Sequence, residues 1–243
     1  LIYLSLESNS MEFLDKVFFS VFHSISAFCN AGFSTLPKGA MNVGFVHNYN
    51  FQSVLILLIF LGGIGFPILI NLLRYFRYLI RKIVSKLIHK QNNRRNWVFS
   101  LSSKVNLVTS LTILGVATII LFFEEYYRTL APHEGIGKFV SAVFLAITPR
   151  TAGFNTIDFA QLNFSSIILV ILLMWIGASP ASTGGGIKTS TFAIGILNFI
   201  NIARGKSKIE IFKRELNPIN VQKAFATMTM SFLVIGLGVF LIT

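Results

Sequence analysis

Long apolar runs broken by short polar ones organise this chain. Residues 51–73 are nearly all apolar and lead straight into a basic stretch, and 105–123 are apolar and end at Glu124 and Glu125. Residues 164–202 form a third run, interrupted part-way, and 224–243 form a fourth. At about 1.5 Å per residue the first run would be about 34 Å long as a helix, enough to span a bilayer with slight tilt. Residues 1–6 read as the tail of a further helix. The pattern predicts an all-α membrane protein in which each run is one crossing.

Two more apolar segments are too short to cross. Residues 13–28 precede CNAGFSTL, and 139–147 precede TPRTAGFNTI. Both lie between boundaries that read as external, so each must enter and leave on one face. That describes a re-entrant pore helix with an extended return; the alternative is an amphipathic helix on the outer surface. An internal repeat favours the first reading. Aligning Ala31-Gly32-Phe33 with Ala152-Gly153-Phe154 also pairs Ser20 with Ser141 and Thr35 with Thr156. Each copy leads into a long apolar helix with a small-residue break, GGIGFP in one and GASPASTGGGIK in the other. The implied unit is outer helix, short helix, AGF loop, inner helix. Two such units cannot enclose a path, so further copies are expected beyond this chain.

Charge sharpens the picture. The chain is 53% apolar and 12% charged, yet carries a formal net charge of +12. A soluble domain of this length carries about twice that charged fraction. Basic residues gather between Arg74 and Lys104 and between Arg204 and Lys223, beside apolar runs. Cytoplasmic loops of membrane proteins look like this, so nucleic acid is not the expected partner. Most acids, including Glu12, Asp15, Glu124, Glu125, Glu134 and Asp158, fall on the opposite flanks. The expected location is a cell membrane, multi-pass, with basic loops inside. The single cysteine, Cys29, excludes an internal disulfide, and the four histidines show no metal spacing. Nothing pairs a nucleophile with a base, so an enzyme is not expected.

Non-helical backbone at membrane depth is tolerated only where protein or a water-filled cavity surrounds it. A short helix ending there turns the negative end of its dipole toward the membrane centre. The residues that follow are small and uncharged: Asn30, Ala31 and Gly32 in one loop, Thr151, Ala152 and Gly153 in the other. Such loops can offer backbone carbonyls to a dehydrated monovalent cation. The strings HSISAFCNAGFSTL, AITPRTAGFNTIDF, FLGGIGFPILI and WIGASPASTGGGIKTSTF together resemble the Trk/Ktr/HKT superfamily of potassium transporters, most closely the Ktr membrane (ion-translocating) subunit. The resemblance runs nearly the whole chain. It implies four helix–pore loop–helix units in pseudo-fourfold array around one pore, of which this chain holds part. Residues 1–6 would end the outer helix of the second unit, and 7–73 would carry its pore helix, filter loop and inner helix. A basic cytoplasmic loop would follow over 74–104, the third unit with a broken inner helix over 105–203, a second loop over 204–223 and the first helix of the fourth unit over 224–243. By the same resemblance Gly32 and Gly153 line the filter.

The third run breaks where Gly177 to Gly186 places four Gly, one Pro and small polar residues. Each Gly costs up to ~1 kcal/mol and Pro ~3 kcal/mol in a helix, so a loop is expected inside the bilayer. The string differs from a phosphate-binding loop because Ile187 separates Gly186 from Lys188, so no nucleotide site is expected in this chain. The resemblance implies an intramembrane gate, with Gly177, Ser179, Pro180, Ser182, Thr183, Gly184, Gly185, Gly186 and Lys188 as its residues. Lys188 either meets a further unit or snorkels to the inner surface. Arg150, awkwardly placed beside a cation path, is expected to pair with a carboxylate, with Glu12, Asp15 and Asp158 as candidates. The resemblance also implies a homodimer, bacterial, on a cytosolic nucleotide-binding regulatory ring. K+ would be the transported ion, with Na+ as a second candidate, and membrane lipid would be a further partner of the basic loop. The rival readings are a sodium-permeable or less selective relative and a secondary transporter with broken helices.

Overall fold

The computed structural model describes residues 1–6, 12–36, 41, 43–87, 100–205, 210–211 and 214–242. Ten helices follow in order among these: α1 Ile2–Ser5, α2 Phe13–Phe28, α3 Val43–Val46, α4 Tyr49–Ile64, α5 Phe66–Leu87, α6 Leu101–Glu124, α7 Ile136–Ile147, α8 Phe164–Trp175, α9 Thr189–Ala203 and α10 Pro218–Ile242. Two short strands, β1, Glu210–Ile211, and β2, Arg214–Glu215, pair antiparallel, and an isolated parallel bridge joins Ile176 to Ile187. Parts of the two expected basic loops, 88–99, 206–209 and 212–213, lie outside the described residues.

Capping explains where several helices start. Ser100 accepts a hydrogen bond from the Ser103 N–H and opens α6 four residues earlier than the apolar run alone suggests. Asn48 does the same for α4 from the Phe51 N–H, and Asn163 for α8 from the Phe164 N–H. Two single helices, α6 and α10, are long and apolar enough to cross a membrane. The run expected to cross over 51–73, with its small-residue break, is divided between two helices that are apolar and long enough together. The chain bends by 109° between α4 and α5 at Gly65, whose φ of +91° is open to glycine and strained for other residues. Pro67 falls in the first turn of α5, where a missing N–H costs no helical bond.

α5 therefore runs away from α4 as a separate amphipathic helix. Leu73, Phe76, Ile80, Ile83 and Val84 form an exposed apolar stripe, with Arg74, Arg77, Arg81 and Lys82 beside it. Residues 74–87, expected to belong to a loop, are helical.

The core sits where α4 packs on both short helices, α2 and α7, while α7 also packs on α6. One cluster gathers Phe19, Phe51, Leu55, Phe144, Ile147 and Phe154 around Ala27 and Ala152. The second links Ala117 and Leu121 of α6 to Ala142, Leu145 and Ala146 of α7 and to Leu173 of α8. Apolar burial drives little helix association inside lipid, so close backbone approach through small residues carries more weight. Ala27, Ala142, Ala146 and Ala152 are fully buried at these contacts. α10 packs on α9, and the Trp175 indole N–H at the end of α8 donates to Ser231 Oγ of α10 at 3.0 Å. The outer face of α10 is bare, as a lipid-facing helix is.

Candidate functional site

Both AGF loops are built alike. α2 stops at Phe28, and Asn30 and Gly32 then take φ of +51° and +72°; α7 stops at Ile147, and Thr151 and Gly153 take +70° and +77°. An extended strand points successive carbonyls to opposite sides. Left-handed residues at alternate positions break that alternation and let carbonyls turn the same way. A hydroxyl locks each return strand: Ser26 Oγ donates to the Phe33 carbonyl at 2.8 Å, and Thr148 Oγ1 donates to the Phe154 carbonyl. His23 adds a brace, its Nδ1 donating to Phe19 O at 2.9 Å and its Nε2 accepting from Ser34 Oγ at 3.0 Å. Ser26, Thr148, His23 and Ser34 were not singled out from sequence. A hydroxyl within two residues of a helix end that precedes a Gly loop is the signal that could have marked the first two.

The loops meet backbone to backbone. A methyl group on Gly32 would lie 2.8 Å from Ala152 O and 2.8 Å from Gly153 Cα. One on Gly153 would lie 3.1 Å from Gly32 Cα. Asn30 and Ala152 are buried, and Ala31, Thr151 and Gly153 border or line more open space. A cavity of about 520 Å³ flanks this contact, lined by Ala31, Thr151, Ala152, Gly153 and the apolar face of α8.

The Gly-rich segment between α8 and α9 folds back under both loops. Gly177 N–H donates to Ile187 O at 3.0 Å, Ala178 N–H to Gly185 O at 3.1 Å and Ile187 N–H to Trp175 O at 3.1 Å. The two limbs lie so close that a methyl on Gly177 would sit 1.9 Å from Gly185 O. Its tip docks on the break at Gly65. Ser179 N–H donates to Gly63 O at 2.9 Å, Thr183 N–H to Gly62 O at 3.4 Å, and Phe66 N–H to Ala181 O at 3.1 Å. Thr183 Oγ1 accepts from Asn30 Nδ2 at 2.9 Å and donates to Phe28 O at 3.1 Å, joining the segment to the first AGF loop. Gly184 lies beside the second, since a methyl there would stand 2.3 Å from Thr151 Oγ1. Gly186 takes a φ of +69° as the chain turns out, Pro180 packs its carbonyl toward Gly65, and Ser182 Oγ is buried without a partner.

Lys188 has a partner inside its own segment. Its Nζ donates to Gly184 O at 2.8 Å and closes the loop on itself. The far limb is tied to α6 by a buried chain: Ser179 Oγ meets Thr189 Oγ1 at 3.1 Å, and Thr189 Oγ1 donates to Asn106 Oδ1 at 2.8 Å. Asn106 and Thr189 escaped the sequence reading. A lone Asn in the apolar run 105–123 is the signal that was available.

Arg150 corrects an expectation. Its guanidinium is buried, but it pairs with no carboxylate among the described residues. Nη2 donates to Gly177 O at 3.1 Å and Nη1 reaches Ser110 O at 3.5 Å. Glu12, Asp15 and Asp158 are not its partners.

Glu125, just beyond α6, is buried. It accepts from the Asn163 N–H at 2.8 Å and the Thr129 hydroxyl at 2.9 Å, so it holds the start of α8 against the end of α6. Burial pushes its carboxyl up, but the nearby Ser166 hydroxyl, the Asn163 amide and Thr129 outweigh it and hold it below its ordinary value. A carboxyl lowered in the folded state adds stability above its unfolded value, and that stability is lost as pH falls through the folded value. In detergent, the wild-type melting temperature is expected to drop on acidification below about pH 4, and Glu125→Gln should flatten that drop while melting lower at neutral pH. Parallel curves for the two proteins would contradict this role.

Helices of spanning length, a spanning pair broken at Gly65 and short helices ending in glycine loops define an all-helical membrane protein. Comparison with known proteins supplies the family. The profile described as TrkH, cation transport protein, matches residues 1–243, and the chain belongs to that family. It is 36% identical over 229 residues to Ktr system potassium uptake protein B of Bacillus subtilis, covering 93% of this chain and 47% of the relative. It is 33% identical over 230 residues to potassium/sodium uptake protein NtpJ of Enterococcus hirae, again 93% of this chain and 47% of the relative. Among solved structures, the potassium transporter TrkH from Vibrio parahaemolyticus shares the fold at a TM-score of 0.66, with 18% identity over 91% of this chain and 45% of that one. The chain thus spans about half the length of the relatives it matches. That fold is potassium-channel-like, which agrees with the all-α, channel-like part of the expected fold class.

Proposed function

We propose that this chain forms part of a pore for potassium uptake, in which the two AGF loops supply filter carbonyls and the Gly-rich segment is the gate. The carrying observation is the backbone contact of Gly32 with Ala152 and Gly153 directly above that segment. Asn30, Ala31, Gly32, Thr151, Ala152 and Gly153 would present carbonyls to the ion. Residues 177–188 would obstruct its way inward. The chain's two short helices and their loops act as units of a pseudo-fourfold repeat, with the segment boundaries predicted above except that 74–87 belong to α5. Further units would close the filter along the 520 Å³ cavity, whose apolar α8 wall is otherwise left facing open space.

The filter faces outward and the basic stretches face the cytoplasm, as the charge distribution supports. The proposal includes, as the resemblance implies, a homodimer with a cytosolic nucleotide-binding ring, nucleotide binding to the ring and not to this chain. The exposed apolar stripe and basic residues of α5 suit the surface of an anionic inner leaflet. Sodium permeation is the second reading, favoured by the potassium/sodium uptake protein among the relatives.

Rubidium uptake into potassium-starved cells expressing the full-length protein tests the assignment. Gly153→Asp, which puts a carboxylate and a strained φ into the second loop, is expected to cut uptake to background. Uptake equal to wild type would remove Gly153 from the filter, and sodium uptake matching rubidium would favour the second reading.

A further inference from the structure

Among the described residues Arg150 is the one buried cation beside the proposed path, and burying a charge without a counter-charge is costly unless its hydrogen bonds are met. Its backbone belongs to the turn after α7 that leads into the second AGF loop. Its side chain reaches two other bodies: the carbonyl of Gly177, where the Gly-rich segment begins, and the carbonyl of Ser110, midway along the crossing helix α6. One side chain therefore ties the root of the proposed gate to the filter loop and to a fixed crossing.

Two polar atoms at this junction have no protein partner among the described residues, Arg150 Nε and Ser110 Oγ, both buried. Between them lies a cavity of about 20 Å³, bordered by both residues and by Gly63, Ile64, Ile147 and Ala178. A space of that size takes about one water, and a water needs two or more polar partners. The Nε–H can donate to it and the Ser110 hydroxyl can exchange a hydrogen bond with it.

Building on the gate reading above, we propose that Arg150 is a positioning residue for the gate: together with one buried water held between Nε and Ser110 Oγ, it clamps Gly177 to the filter loop and to α6. The guanidinium suits this task because its planar fork addresses two carbonyls and a water at once. A lysine ammonium, a single point of charge, can hold one of them firmly. Its charge is spent on the clamp and it does not ligate the ion. Loosening the clamp frees the root of the loop and leaves the filter backbone in place.

The test is rubidium uptake by the full-length protein, expressed without any regulatory subunit in cells lacking other potassium uptake. Arg150→Gln and Arg150→Lys are compared in the intact chain and in a chain lacking residues 181–186. In the intact chain Arg150→Gln is expected to raise uptake at least about fivefold, the lower end of typical coupling between separate elements, with Arg150→Lys in between. In the shortened chain Arg150→Gln should add nothing, and the rubidium-to-sodium ratio should stay at its wild-type value throughout. Unchanged or lower uptake, an effect that persists in the shortened chain, or an altered ion ratio would each overturn the proposal. If Arg150→Gln fails to reach the membrane, Ser110→Val, which fills the water's space and removes its partner, must raise uptake in the same way; no rise there overturns it too. A shortened chain no leakier than wild type would instead sink the gate reading itself, so the two failures are distinguishable.

Discussion

Gly32→Ala is expected to lower rubidium uptake by the full-length protein by about two orders of magnitude or more, equivalent to about 3 kcal/mol on the conducting state. Two effects add. At φ of +72° a side chain sits in the left-handed region, which costs an L-residue about 1–2 kcal/mol. The new methyl would also stand 2.8 Å from Ala152 O and from Gly153 Cα and 3.1 Å from Gly153 C. All three are backbone atoms of the opposite loop, so no side-chain rotation relieves the contact. The loops must part, and the carbonyls that replace an ion's hydration part with them. Gly153→Ala should be the milder change, because its methyl meets Gly32 Cα at 3.1 Å and Gly32 N at 3.8 Å. Gly115→Ala, on α6 with nothing within 4 Å, is the control and should match wild type. Membrane abundance measured alongside separates lost conduction from lost protein. Equal uptake by Gly32→Ala and Gly115→Ala would show that the two loops do not meet around the ion.

The class of the protein was legible because it rests on periodicity and charge, which are local. Apolar runs announced α6 and α10, the ends of α2 and α8 fell within a residue of expectation, and the Gly–Pro cluster after Ile176 announced a break. What escaped depends on partners distant in sequence. The bend at Gly65 is held by the Phe66 N–H donating to Ala181 O, over a hundred residues away, so GGIGFP looked like a flaw in one crossing and not the end of a helix. The helical character of 74–87 was in principle visible. Leu73, Phe76, Ile80, Ile83 and Val84 keep helical spacing, but the basic residues among them drew the reading toward a loop. Arg150 misled for a physical reason: a buried Arg can be met by backbone carbonyls as well as by a carboxylate, and the broken chain at Gly177 makes such a carbonyl available. The hydroxyl locks at Ser26 and Thr148 act across six or seven residues through an irregular loop, and no repeat period marks them.

Removing residues 181–186 from the full-length protein is expected to release uptake from regulation, raising it about a hundredfold when no regulatory subunit is present. The estimate follows from what holds the loop shut. Ser179 and Thr183 donate to the carbonyls of Gly63 and Gly62, Phe66 donates to Ala181 O, and Thr183 Oγ1 links Asn30 to Phe28 O. At about 1 kcal/mol net for each hydrogen bond, these contacts favour the closed arrangement by roughly 3–5 kcal/mol. A two-state gate with that bias is open about 1% of the time or less. The excision removes Thr183 and Ala181 together with the Gly184 carbonyl that Lys188 holds, so the remaining limb has little to dock with. Gly32 and Gly153 lie outside the excised residues, and the Ser26 and Thr148 locks on their loops are untouched, so the preference for rubidium over sodium should persist. Faster uptake with that preference intact separates a gate from a structural plug whose loss would also loosen the filter. Uptake that stays low, in protein shown to be in the membrane, would mean that the obstruction lies elsewhere along the path.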